Sequence, residues 1–237
     1  MRLLLRVVVV LVVLGGMLLL ATELLAKPFA ERAVGRQIRD ERGLASTPDV
    51  ELSGFPFALA VARGQLDAAS VSIDQYVVDG LLLRHATLDL DEVDFSVGSL
   101  VNGDAEVEAA SATIVADVTD ADLNSWLAAR AVPLTVRFAA GQVHVAGRLE
   151  LEGVGGDVQA VGTVAVEGGA LSFAPAEVLL GGVPVPGELV DAARGAVAFT
   201  VPLPEVAGAQ VTGATIGEGA ATLTASVADY LLTGDSA

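Results

Sequence analysis

The chain has 237 residues, enough for one large domain or two small ones, and 53% hydrophobic against 18% charged residues excludes a disordered protein. Cysteine is absent, which excludes disulfides, thiolate metal sites, a cysteine nucleophile and a lipidated cysteine. A formal net charge of −17 argues against nucleic acid as a partner, because binding it takes cations against phosphate.

The first element is apolar. Arg2 and Arg6 precede an uninterrupted run from Val7 to Ala21, and Glu23 separates it from Leu24, Leu25 and Ala26. As a helix, Leu3 to Ala26 is about 36 Å long at ~1.5 Å per residue, enough to span a bilayer core if Arg6 snorkels and Glu23 sits near the outer interface. A signal peptide has the same charged start and apolar run. It also needs a small-x-small cleavage site, and Leu24 stands two residues before Ala26, as Leu19 does before Ala21. We therefore expect residues 1–26 to be retained as a signal anchor. Either way Arg2 and Arg6 stay in the cytoplasm and the remainder is exported. The chain is then a single-pass plasma-membrane protein with its C-terminal domain outside, or a secreted one if the segment is cleaved.

Residues 27–45 form a second segment with a net charge of +2, whereas residues 46–237 carry −20. Pro28 suits a first helical turn, Phe29, Ala30, Ala33, Val34 and Ile38 fall at helical spacing, and Gly43 ends the helix. Arg32, Arg36 and Arg39 share its other face. This basic amphipathic helix either packs on the domain with its arginines in water or lies beside the membrane with its arginines on lipid phosphates.

The third segment, 46–237, is β-rich. Val71 and Ile73 alternate with polar residues, and Asp79-Gly80 is a hairpin turn signal. After it, Leu82, Ala86, Leu88 and Leu90 face one way, and His85, Thr87 and Asp89 the other. Ala110, Ala112, Ile114, Ala116 and Val118 alternate again. Further strands are expected at 143–151, after the Ala140-Gly141 turn, at 158–166, 171–173, 197–201, 211–216 and 221–227. Thr119 and Asp122 make a capping-box variant ahead of Leu123, Trp126 and Leu127. Gly187 to Arg194 is a shorter helix candidate. Strands alternating on one face and interrupted by helices predict an α+β domain built on antiparallel sheet.

Catalytic motifs are missing: there is no P-loop, no nucleophile elbow and no HExxH. His85 and His144 sit at polar strand parities and are expected on the surface. Asp89 and Asp91 share a strand face, which reads as a solvated acidic face rather than a Ca²⁺ loop, since the glycine and spacing of such a loop are absent. No residue set calls for a metal or a cofactor, and aromatics, at 4%, are too few to line a sugar cleft. The surplus is aliphatic. Faces of Ala, Val and Leu suit either a filled core or a dry cavity for acyl chains, where each buried CH₂ contributes roughly 0.8 kcal/mol. Gly54 permits an unusual backbone and Pro56 holds Phe55 extended, so Phe55 and Phe57 are expected to point the same way, either plugging one end of the core or gating a cavity mouth.

The stretch Ala45-Ser46-Thr47-Pro48-Asp49-Val50-Glu51-Leu52-Ser53-Gly54-Phe55-Pro56-Phe57 resembles the hallmark of the LmeA-like phospholipid-binding proteins of actinobacteria. Gly64-Gln65-Leu66-Asp67, Val71-Ser72-Ile73, Val118-Thr119-Asp120-Ala121-Asp122-Leu123-Asn124-Ser125-Trp126-Leu127 and Val201-Pro202-Leu203-Pro204-Glu205 fit the same pattern, over most of residues 27–237. Ala207-Gly208-Ala209 departs from it. The resemblance implies a non-enzymatic phospholipid binder of the cell envelope, linked to lipoglycan (mannan) assembly and so to envelope biosynthetic enzymes. It also implies an elongated, strongly curved sheet wrapped around helices over an apolar cavity, similar to the tubular lipid-binding (TULIP) fold. On this reading Ala112, Ile114, Ala116, Leu123, Trp126 and Leu127 line the acyl-chain site, with Phe55 and Phe57 near its entrance. The alternative is a membrane-anchored scaffold that recruits envelope enzymes through its sheet edges. A hydrolase would need a cleft joining Ser or Asp to His85 or His144.

Overall fold

A computed structural model describes residues 25–40, 42–78, 80–96, 106–151, 154–167, 170–185, 194–195, 199–202 and 209–233. The apolar run 1–24 lies outside these residues, as does the helix candidate at 187–194 except for Arg194, which donates from Nη2 to the Ala176 carbonyl at 3.1 Å. Among the described residues no helix is long and apolar enough to cross a membrane. Helix α1 covers 25–40, followed by β1 (Asp49–Ser53), α2 (Phe57–Arg63), β2 (Gln65–Val78), β3 (Leu81–Phe95) and β4 (Glu106–Thr119). Then come α3 (Asp120–Ala129), β5 (Leu134–Ala139), β6 (Gln142–Leu151), β7 (Val154–Glu167), β8 (Ala170–Leu180), β9 (Val183–Pro184), β10 (Phe199–Pro202), β11 (Gln210–Ile216) and β12 (Ala220–Thr233).

The strands form two open sheets, one ordered β1-β2-β3-β4-β12-β11 and the other β10-β8-β7-β6-β5 with β9 on β8. The pairs β1–β2, β5–β6, β6–β7, β7–β8, β8–β9, β8–β10 and β11–β12 are antiparallel, in keeping with one-faced alternation, and the class is α+β. No closed barrel is present among the described residues. The expected turns are there: Gly80 joins β2 to β3 at φ 82°, and Ala140 and Gly141 join β5 to β6 at φ 52° and 77°, the left-handed pair that suits a two-residue hairpin.

The chain divides into two compact units: Met1–Ile73 with Leu88–Ala112 and Ala228–Ala237, and Asp74–Thr87 with Thr113–Val227. In the first, Val50, Leu52, Phe57, Leu66, Leu90, Val93, Ala112 and Tyr230 are buried. The buried parity of β3 steps from Leu90 to Val93 across Glu92, whose φ of 50° marks a local break in the strand. Ala109 is buried and Ala110 exposed, so Ala110 does not share the face of Ala112 as its spacing suggested; the alternation slips within β4.

Helix α1 packs on β1 through its least bulky residue. A Cβ at Gly35 would come within 2.8 Å of the Pro48 carbonyl oxygen. The Glu31 carboxylate accepts from the Leu52 N–H at 3.0 Å, and Arg39 donates to the Thr47 hydroxyl at 3.3 Å. β1 is an edge strand, so Glu31 occupies a backbone donor that no further strand reaches. The helical stripe predicted from Phe29, Ala30, Ala33, Val34 and Ile38 is therefore only partly right. Ala30, Ala33 and Ile38 are half-buried, whereas Phe29 and Val34 are exposed, because close approach at Gly35 turns a different side of the helix toward β1.

Gly64 ends α2 in the left-handed conformation, φ 71°, and its carbonyl accepts from the Phe95 N–H at 2.8 Å. A Cβ there would overlap the Phe95 carbonyl oxygen.

Replacing Glu31 by Ala should cost about 1–3 kcal/mol, the penalty for a partly buried donor left without a partner, while Gln, which keeps an acceptor, should cost less. The surface pair of Glu31 with Lys27 at 3.9 Å contributes little to this difference. Urea unfolding of the three proteins measures it, and equal midpoints for Ala and Gln would contradict the assignment.

Candidate functional site

In the second unit the geometry is set by how α3 is fastened. Thr119 is its N-cap: the hydroxyl accepts from the Asp122 N–H at 3.1 Å and donates to the Asp122 carboxylate at 2.6 Å. Arg84 on β3 grips the same carboxylate with two hydrogen bonds, Nε to Oδ2 at 2.6 Å and Nη2 to Oδ1 at 3.0 Å. The Arg84 guanidinium, followed by the Thr119 hydroxyl, holds the Asp122 carboxyl below the usual carboxylate range. Two residues on, the Asn124 amide donates to the Val136 carbonyl at 2.8 Å and accepts from the Val136 N–H at 2.7 Å. Val136 is on β5, the last strand of its sheet, so one side-chain amide takes the place of a neighbouring strand.

That attachment lays Leu123 and Leu127 on a core of Val136, Phe138, Val143, Val145, Val158, Ala160, Phe173, Val178 and Ala221. Trp126 is half-buried, with the Arg130 guanidinium 3.9 Å from its ring centre. No residue of α3 is fully buried, although the helix carries three large apolar side chains. On β4 within this unit Ala116 and Val118 are buried, and Ile114 is half-buried.

The other expected residues fall in the first unit. Ala112 is buried there. Phe57 is 3% exposed and Phe55 75%, so the two do not point the same way. The expectation treated 55–57 as extended, but α2 begins at Phe57 with Pro56 as its N-cap, so the two-residue period of a strand does not apply. Phe57 plugs the core and Phe55 faces solvent. The closeness of Gly54 to Ala60, with a Cβ placed 3.0 Å from the Ala60 Cβ, shows how tightly α2 folds back.

A cavity of about 330 Å³ lies on the face of β5–β8 opposite that core, and none of the expected residues lines it. Two cross-strand rows form its floor: Arg137, His144, Val161 and Glu177, then Thr135, Ala146, Gln159 and Leu179. His144 thus has the predicted parity but sits half-buried in a depression. The volume is at the low end of the about 300–1,000 Å³ usual for ligand pockets, and a floor that carries Arg137 and Glu177 does not suit an acyl chain.

His85 is exposed, with Nδ1 3.8 Å from Asp117 Oδ2, while Asp117 Oδ1 accepts from the Thr222 hydroxyl at 2.6 Å. The carboxylate stands between hydroxyl and imidazole, so this group lacks the hydroxyl-to-imidazole bond that activates a nucleophile. Asp89 and Asp91 accept from Ser70 at 2.6 Å and Ser111 at 3.0 Å and lie on an exposed face, as the acidic pattern suggested. Sequence reasoning missed Arg84 and Asn124. Their partners lie 38 and 12 residues away, and no local pattern signals such pairings.

Asn124→Ala should lower stability by about 2–4 kcal/mol, since it strands both backbone groups of Val136. Asn124→Asp should recover only part of this, because it keeps an acceptor but offers the carbonyl no donor. Thermal unfolding of both variants checks the order.

Asp122 has a lowered pKa in the folded chain, so its contribution to stability is present above its unfolded value near pH 4 and is lost as pH falls through the folded pKa. Asp122→Asn should therefore cost about 1–2 kcal/mol at pH 7. Below pH ~4 the gap to the native protein should narrow. Denaturant titrations across that window measure it, and a constant gap would contradict the assignment.

Comparisons with curated proteins and with solved structures return no match for this chain. The sequence model of one family does match, over residues 21–226, a span that takes in α1, most of both units, the Gly54–Phe57 element and the whole Thr119–Leu127 segment that fastens α3. The chain belongs to the LmeA-like phospholipid-binding family.

Proposed function

We propose that this protein binds phospholipid without catalysing a reaction on it, and that an acyl chain lies against Leu123, Trp126 and Leu127 of α3 with Ile114 and Ala116 of β4. The observation that carries the reading is the incomplete burial of α3: the helix is held on the core by two polar anchors, yet none of its three large apolar side chains is fully covered. Helices of soluble domains ordinarily bury such a stripe. Each CH₂ of a lipid chain taken from water onto that surface contributes roughly 0.8 kcal/mol, so a dozen of them supply on the order of 10 kcal/mol against the cost of ordering the ligand. Family membership supplies the ligand class.

The wider setting belongs to the same proposal. Residues 1–26 anchor the chain in the plasma membrane, the basic segment 27–45 that carries most of α1 follows, and 46–237 form the lipid-binding part outside the cytoplasm. A part in lipoglycan assembly, beside envelope biosynthetic enzymes, and a likeness to the tubular lipid-binding fold complete the reading.

Ala116→Trp tests it. If Ala116 faces lipid, the variant should keep the thermal stability of the lipid-free protein and lose most of the phospholipid that co-purifies with the native chain, as counted by mass spectrometry. In a filled core the same change would cost about 1–3 kcal/mol. Unfolding without a selective loss of lipid, or a stable variant with its full lipid content, would each retire the site. Trp126→Ala provides a second, half-buried position with little risk to the core.

A further inference from the structure

The contacts of α1 fix its direction. Arg39 meets Thr47, Gly35 meets Pro48 and Val50, and Glu31 meets Leu52, so the helix runs antiparallel to β1. Four helical residues advance about 6 Å and two strand residues about 6.6 Å, so the two elements keep step. Six residues before Glu31, at about 9 Å, stands Leu25. Three residues beyond Leu52, at a similar distance, stands Phe55. The start of α1 and the Gly54–Pro56 loop therefore occupy the same end of the first unit.

Among the described residues that end is apolar and exposed. Leu25 is 74% exposed, Phe29 68%, Phe55 75% and Leu59 42%. Cations flank them: Arg32 and Arg36 continue the Leu25–Phe29 line of α1 at helical spacing, and Arg63 follows Leu59 by one turn of α2. The rest of the exported chain is strongly acidic, residues 46–237 carrying −20, and would be repelled by an anionic surface. Leu25 is also where the apolar run that starts at Leu3 enters the described structure, so the segment read as an anchor arrives at this same end.

We infer that this end of the first unit is seated in the interface of a phospholipid bilayer, with Phe55 and Leu59 inserted among the acyl chains beside the start of α1 and with Arg32, Arg36 and Arg63 on lipid phosphates. An exposed phenylalanine and leucine next to arginines match what an interfacial segment presents to a membrane: aliphatic and aromatic groups below the phosphates and guanidinium groups level with them. This rests on residues 1–26 acting as an anchor. It does not depend on an acyl chain entering the second unit.

The absence of cysteine makes a depth measurement direct. Leu59→Cys and, at the opposite end of β1, Asp49→Cys are each labelled with a nitrobenzoxadiazole probe in the full chain. The labelled proteins are reconstituted in vesicles of equal parts phosphatidylcholine and phosphatidylglycerol that carry a nitroxide quencher high on the acyl chain. The expected result is co-flotation with the vesicles, a blue-shifted probe at Leu59, and quenching there about threefold that at Asp49. Adding Phe55→Asp to the Leu59-labelled chain should reduce the quenching to the Asp49 level without changing thermal stability, since Phe55 is exposed. Co-flotation with equal quenching at the two positions overturns the seated end alone. Failure to co-float overturns both the anchor and the seated end. Full quenching in the Phe55→Asp chain removes Phe55 from the contact and overturns the insertion as stated.

Discussion

A β-sheet that stops leaves a row of backbone donors and acceptors on its last strand, and this protein answers that constraint at β5 with a single amide. Asn124 pairs with both the N–H and the C=O of Val136, as a further strand would. Much follows from that pairing. It sets the rotation of α3 about its own axis, and Leu123 and Leu127, one position before and three after Asn124, come down on the Val136–Phe173 core. Trp126 is left at the flank against Arg130. The Thr119–Asp122–Arg84 cluster fixes the helix start by a second route, so α3 is pinned at one end by a charge pair and in the middle by a strand mimic. Glu31 does comparable work at the other sheet, where it meets the edge donor of Leu52.

These fastenings explain a mismatch between the pattern of the sequence and the packing of the helices. In most amphipathic helices the apolar stripe selects the buried face. Here polar side chains and one glycine select it: Glu31 and Gly35 for α1, Asp122 and Asn124 for α3. Apolar residues that a stripe would have buried are left partly or fully exposed. Phe29 ends up exposed on α1 and Trp126 half-buried on α3.

The strands were legible because their signal is local. Alternation and the turn residues at Gly80 and Ala140-Gly141 placed β2, β3, β6, β7, β11 and β12, and the Thr119–Asp122 spacing placed the start of α3. The site was less legible, for physical reasons that differ from residue to residue. Arg84, Glu31 and Asn124 act across 38, 21 and 12 residues, a separation at which no periodicity survives. At Phe55 and Phe57 a strand period was applied to a segment that is turning into a seven-residue helix, too short to announce itself by spacing. In β4 a slip between Ala109 and Ala112 moved Ala110 to the wet face, which alternation counted from either end cannot register.

The docking of α1 has a mechanical side. With Glu31 and Gly35 held against β1, and α1 running back to Leu25 without a break, the described helix is fastened directly to the first strand. A stretch of flexible linker lets a domain sweep a volume that grows with the length of the tether. The path from Leu25 along α1 to Glu31 and across to Leu52 offers no such tether, so whatever displaces the start of α1 carries the first strand with it.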